Sequence, residues 1–257
     1  MKPAIKSISI YVIAIWASAA LAGADESGTC SVQSAATRTP VVELYTSEGC
    51  SSCPPADKWL STLKTARDGK SSATPLVVQA FHVGYWDYIG WVDRFANPTH
   101  TTRQRQLARF NGLVSIYTPQ AVLNGKREFV GSNRALLISL LTNALHETPP
   151  VAVQLTTSQR GKTITVNYKL AGSLAGTVLN VALVSQTTST VVNRGENAGH
   201  TLMHNNVVRA FTTVQATETG QTTHTAPADF DAANGAVIAY VQQNNTLTML
   251  GASRAAL

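Results

Sequence analysis

The chain has 257 residues, with 20 Lys and Arg against 14 Asp and Glu, a formal net charge of +6, and 44% hydrophobic but only 13% charged residues. This length buries a sizeable core and suits two compact units, and so low a charge content excludes the strong basic field that nucleic acid demands of a partner. Three cysteines are too few for a scaffold stapled by disulfides.

Residues 1–24 read as a secretory signal peptide. Lys2 and Lys6 precede an apolar stretch from Ile8 to Leu21, and the small residues Ala22, Gly23 and Ala24 follow. The stretch falls short of the roughly 20 residues of a membrane span, and no later stretch reaches that length. The mature chain is therefore expected to be periplasmic or secreted, soluble, and without a transmembrane segment. Residues 25–38 are small and polar and read as a linker, with Cys30 inside it either free or paired between chains.

Residues 39–149 alternate between strand and helix signals. Pro40–Thr46 is a strand, and Cys50-Ser51-Ser52-Cys53 follows it directly, with Pro54-Pro55 starting a helix whose stripe is Trp59, Leu63 and Ala66. Pro75–Val83 has the continuous apolar character of a buried parallel strand, which makes a crossover unit with the first. The segment 84–116 is an insertion, aromatic at Tyr85, Trp86, Tyr88 and Trp91 and helical over Pro98–Phe110. Arg103, Arg105 and Arg109 on that helix read as a solvated face. Asn124-Gly125 between apolar runs predicts a hairpin. A last helix starts near Ser132 or Asn133, carries Leu136, Leu137, Leu140, Leu141 and Leu145, and ends at Pro149-Pro150.

Residues 150–257 are rich in Thr, Val and Asn and alternate with a period of two. Val151–Leu155, Thr163–Tyr168, Thr177–Leu183 and Ala236–Val241 read as strands of an antiparallel β-sandwich domain.

Two cysteines three apart at the first turn of a helix close a small disulfide without moving the backbone. Zinc ribbons share the spacing but need a second pair, and Cys30 is the sole remaining cysteine. His82 ends the strand after the dithiol helix, on the side of the sheet that carries the Cys50 loop, and so is a candidate proton carrier or orienter. Tyr85, Trp86, Asp87 and Trp91 are candidates for a substrate rim, with core packing as the alternative. His200 and His204 are four apart but lack a following Glu, and Gly199 and Asn205-Asn206 suggest a loop, so no metal site is expected there. No cofactor is expected. Neither a phosphate loop nor a Gly-x-Ser-x-Gly elbow is present.

The order of strand, Cys-x-x-Cys helix, strand, inserted helical region, Thr118-Pro119, hairpin and closing helix resembles the thioredoxin fold. The stretch Val42–Asp57 resembles the exported bacterial family called domain of unknown function 1223, and so do Phe81–Tyr88, Tyr117–Gln120, Asn193–His200 and Val207–Arg209. The resemblance implies an α/β fold: a thioredoxin-like domain with a helical insertion, followed by the β-sandwich domain. It implies a cis bond before Pro119, facing the dithiol, with Thr118 and Pro119 offering backbone to an extended peptide. It implies thiol-disulfide exchange with a protein or peptide thiol and an unidentified redox partner, with Cys50 as nucleophile and Cys53 as resolving thiol. The rival is a non-enzymatic binding module: a copper or zinc carrier using Cys50, Cys53 and His82, or an assembly factor whose disulfide is purely structural.

Overall fold

The computed structural model describes residues 29–33, 39–63 and 76–257. The expected signal peptide lies outside the described residues, as does the linker apart from residues 29–33. Those five residues form a strand, β1 (Thr29–Gln33), in which Cys30 stands opposite Thr157.

The first half runs β2 (Val41–Thr46), α1 (Pro54–Leu60), β3 (Val77–His82), α2 (Pro98–Phe110), β4 (Gln120–Leu123), β5 (Arg127–Val130) and α3 (Arg134–Ala144). Every residue of β2 and β3 is buried, as expected of parallel strands covered on both faces, and the two strands do pair in parallel. α2 starts where Pro98 fixes its first turn and the Asn97 side chain accepts from the Thr99 amide at 2.9 Å. Asn133 caps α3 in the same way, accepting from the Leu136 amide at 3.2 Å. Asn124 and Gly125, at φ 52° and 74°, turn the β4–β5 hairpin, and a Cβ at Gly125 would collide with the Leu247 carbonyl. α1 ends at Leu60, earlier than the stripe predicts, with Ser61–Leu63 forming a turn.

The second half is β6 (Val151–Arg160), β7 (Thr163–Gly172), β8 (Thr177–Val191), β9 (Thr201–Gln215), β10 (Thr219–Thr225), β11 (Gly235–Gln243) and β12 (Met249–Ala256). The four expected strands fall in β6, β7, β8 and β11. β9 occupies residues read as a loop around His204, because the polar His204 and Asn206 stand among its buried residues and break the apolar alternation.

The molecule is a mixed α/β structure, mostly sheet, with three α-helices among the described residues. One sheet has four strands in the order β1-β6-β7-β10, and the other has eight in the order β12-β11-β8-β9-β3-β2-β4-β5. The larger sheet crosses the boundary placed at residue 150, because β9 completes the free edge of β3 in parallel, with Ala80 opposite Val207. Residues 150–257 therefore do not form a pair of sheets standing apart from the first half.

α1 and α3 cover one face of the eight-stranded sheet over β2, β3 and β4, with Leu44, Ala56, Trp59, Phe129 and Leu137 in that core. The four-stranded sheet meets β8, β11 and β12 in a second core containing Leu155, Ile164, Val181 and Val237. The opposite face holds Tyr45, Phe81, Leu107 of α2, Ile238 and Tyr240 together. That face curls inward. Glu43 on β2 and Tyr240 on β11 lie four strands apart, about 19 Å in a flat sheet, yet the Tyr240 hydroxyl donates to Glu43 at 2.7 Å. The far edge also comes round, so that the Met249 amide bonds the Asn124 carbonyl at 3.1 Å.

Arg103 departs from the solvated face expected of it. It is buried and paired with the wholly buried Glu43 at 2.6 Å, whereas Arg105 and Arg109 are exposed. The curl places a carboxylate inside the sheet, and a buried carboxylate requires a cation.

Candidate functional site

β2 delivers the chain through Ser47-Glu48-Gly49 to Cys50, which is bonded to Cys53 with Cα atoms 5.4 Å apart. Cys53 is the residue before α1, its amide bonding the Cys50 carbonyl at 3.1 Å. Ser52 Oγ lies 3.3 Å from Cys50 Sγ. Ser51 and Ser52 are exposed, but both cysteine residues are 0% exposed. A freely reachable Cys50, as expected of an open exchange site, is therefore not what the disulfide form presents.

The Thr118-Pro119 bond is cis, as the resemblance implies. Pro119 is buried beside the dithiol helix: a Cβ built at Gly131 would lie 3.2 Å from Pro119 Cβ and 3.4 Å from Ala56 Cβ. The Trp86 indole donates to Thr118 Oγ1 at 2.7 Å, and the Trp86 Cβ lies 3.0 Å from where a side chain at Gly49 would begin. Trp86 thus joins the Cys50 loop to the cis-proline loop. Trp91 donates to Glu48 Oε2 at 2.8 Å, and Asp87 Oδ1 accepts from the Asp93 amide at 3.2 Å. Burial raises the Asp87 pKa above the ordinary carboxylate value. Tyr85, half-buried, packs on the core shared with α2. Trp86, Asp87 and Trp91 thus spend polar atoms on internal bonds that shape the loops around the dithiol, whereas the buried Tyr85 hydroxyl lacks a close hydrogen-bond partner.

Beneath the loop lies a cluster that residue spacing did not single out. His82 Nδ1 is 2.7 Å from Asp93 Oδ2, and the same oxygen accepts from the Glu48 amide at 2.9 Å. His82 therefore reaches the dithiol loop through Asp93. The His204 ring stands edge-on to that of His82, with centroids 4.7 Å apart. It faces Glu48 Oε1 at 3.4 Å and Asp57 Oδ2 at 3.8 Å, which are ion-pair rather than close hydrogen-bond distances. Thr46 Oγ1 donates to Asp57 Oδ2 at 3.0 Å. All five ionisable residues are buried.

Burial pulls the His204 imidazolium down, but Asp57 and Glu48 outweigh it and raise its pKa to about 9. Burial pushes the Glu48 carboxyl up, but His204, Thr190 and Trp91 hold it below its ordinary value. Burial likewise raises Asp93, and His82 with the Glu48 and Phe95 amides brings it below the usual range. Near His82, burial pushes His100 down to about 4, and its Nδ1 donates to the His82 carbonyl at 2.8 Å.

Among the described residues no group of three or more His, Cys, Asp or Glu is arranged to hold a metal ion. His200 and His204 are not brought together, His200 being exposed and bonded to the Asn197 carbonyl at 3.3 Å while His204 points into the buried cluster. No helix among the described residues is long and apolar enough to cross a membrane.

The second half also reaches the dithiol from above. Between β8 and β9 the chain folds over the Cys50 loop, where Glu196 Oε2 accepts from the Ser51 amide at 3.0 Å. Asn197 Nδ2 donates to the Glu48 carbonyl at 2.8 Å and to the Cys50 carbonyl at 3.1 Å. Arg94 fastens the base of this arm, bonding Thr188 Oγ1, Thr190 Oγ1 and the Ser189 carbonyl at 3.2, 3.2 and 3.0 Å. The signal for Glu196 and Asn197 was the stretch Asn193–His200, which shares the family likeness although it lies far from the cysteines in sequence.

A crystal structure of a protein from Agrobacterium tumefaciens is similar over 85% of this chain and 94% of its own, at 27% identity and a TM-score of 0.62. HBP35 of Porphyromonas gingivalis is similar over 87% of this chain and 76% of its own, at 15% identity and a TM-score of 0.62, a likeness of fold alone. No curated protein matches the chain. The family described as "Protein of unknown function (DUF1223)" matches residues 41–242, and the chain belongs to that family.

Proposed function

We propose that this is an exported thiol-disulfide oxidoreductase of thioredoxin-like architecture, with Cys50 and Cys53 as its redox couple. The observation that carries the reading is the meeting of two independent features: a Cys-x-x-Cys disulfide at the start of a helix and a cis-proline loop joined to the Cys50 loop through Trp86. In the exchange, a partner thiolate attacks Cys50 Sγ, the Cys50–Cys53 bond breaks, and Cys53 leaves as a thiolate that takes up a proton. A second partner thiolate then attacks the partner sulfur of the mixed disulfide and releases Cys50. The partner dithiol loses two electrons and two protons, and the Cys50–Cys53 pair gains them.

Cys50 and Cys53 carry the chemistry in this reading, and Thr118 and Pro119 offer backbone to the partner. Trp86, Asp87 and Trp91 hold the surrounding loops in shape, Tyr85 packs beneath them, and His82 acts through Asp93. One observation favours a second reading, a structural disulfide: the complete burial of both cysteines.

Redox titration separates the two. A reversible potential above about −300 mV, with dithiothreitol-dependent insulin reduction that disappears in Cys50→Ser, supports exchange. A potential below that value, with no insulin reduction, assigns the disulfide to structure.

A further inference from the structure

We infer that the loop 193–199 is a specificity-determining cap, which closes the disulfide to small thiols and yields to a thiol carried on an extended polypeptide; this rests on the exchange reading above. A thiolate must approach Cys50 in line with the bond it breaks, and at 0% exposure neither cysteine offers that approach in this conformation. The loop is held to the backbone of the dithiol loop by three hydrogen bonds, from Asn197 to the Glu48 and Cys50 carbonyls and from the Ser51 amide to Glu196. The tip that carries Glu196 and Asn197 is flanked by glycines in left-handed conformation, Gly195 at φ 74° and Gly199 at φ 81°. The base of the loop is fastened by Arg94, so the tip can lift while the β8–β9 arm stays in place.

The pattern of these bonds defines what can replace them. Displacing the tip frees the Glu48 carbonyl and the Ser51 amide, while the Cys50 carbonyl keeps the Cys53 amide. An extended peptide presents amides and carbonyls in alternation and satisfies both kinds, as in strand addition. Dithiothreitol carries no amide and leaves the freed groups without such partners.

The oxidised full chain is reacted separately with dithiothreitol and with reduced, unfolded ribonuclease as a protein dithiol. Loss of the Cys50–Cys53 bond is followed by acid quench and mass spectrometry. The protein-to-dithiothreitol ratio of rate constants is expected to fall about tenfold in Asn197→Ala, equivalent to about 1.4 kcal/mol of cap closure. Glu196→Gln, an exposed and near-isosteric change, is expected to lower it by a smaller factor and guards against misfolding of the first variant. A dithiothreitol rate unchanged in both variants overturns the cap. Faster reduction by dithiothreitol with no oxidised ribonuclease formed by any variant overturns the exchange reading instead, leaving the loop as the shield of a structural bond.

Discussion

Two buried polar clusters lie on opposite faces of the same strand, and they are built to different standards. Glu43, on the α2 face, has both carboxylate oxygens bonded, to Arg103, Tyr45 and Tyr240 at 2.6 to 2.8 Å at their shortest. Arg103 also reaches Gln242 at 3.3 Å, which in turn is bonded by Asn180 at 2.9 Å. Its guanidinium stacks on Phe211 at 5.1 Å, and the Glu43 charge raises its pKa against burial. The Tyr45 and Tyr240 hydroxyls are likewise held above their ordinary values by burial, so the network acts as a clamp joining β2, α2 and β11. The cluster on the α1 face is looser: Glu48 Oε1, His82 Nε2 and both His204 nitrogens lack a close protein hydrogen bond. It is built on Glu48 and Asp57, which flank the dithiol in sequence, and its central cation is an imidazole. Burial of charge serves rigidity on one face and leaves a titratable group behind the disulfide on the other.

The largest expected effect tests the clamp. Arg103→Leu strands the Glu43 carboxylate inside the curled sheet and is expected to cost about 3–5 kcal/mol in urea unfolding. A loss under 1 kcal/mol would mean that the two clusters are equally loose. The titratable cluster is tested by pH. His204 has a folded pKa of about 9, above the ordinary 6.5, so its stabilisation is fully present below 6.5 and is lost as pH rises through 9. The loss is on the order of 3 kcal/mol. The wild-type chain should therefore lose more stability than His204→Gln between pH 6 and pH 10, by about that amount. Parallel curves for the two chains would remove the cluster's claim to be a switchable one.

The contrast also explains what the amino-acid order disclosed. α2 and α3 were legible because Asn97, Pro98 and Asn133 are local signals, and the hairpin because Asn124-Gly125 admits few conformations. The cis bond before Pro119 was legible only through resemblance. Arg103 was misread because the buried stripe of α2 is His100, Arg103, Gln104, Leu107 and Ala108, whose helical spacing is hidden by its polarity. His204, Glu196 and Asn197 come to the dithiol only because β9 joins β3 across more than a hundred residues. No local pattern announces such a pairing, and Asn205-Asn206 beside His204 mimics a turn.

The smallest effect is also the most discriminating, because adjacent residues of β2 feed the two clusters. Strand alternation sends the Tyr45 hydroxyl to Glu43 at 2.8 Å and the Thr46 hydroxyl to Asp57 at 3.0 Å. Tyr45→Phe and Thr46→Val each delete one hydrogen bond with nearly the same shape, and each should cost about 1–2 kcal/mol at pH 7. Their pH dependence should differ. Glu43 keeps Arg103 as its counter-ion, so Tyr45→Phe shifts the unfolding free energy equally from pH 6 to pH 9. Without the Thr46 donor Asp57 Oδ2 is left to His204 alone, so in Thr46→Val the imidazole midpoint should move upward from about 9. Proton NMR of the His204 ring measures it directly. An unmoved midpoint in Thr46→Val would show that Asp57 does not govern the imidazole, leaving Glu48 as its counter-ion.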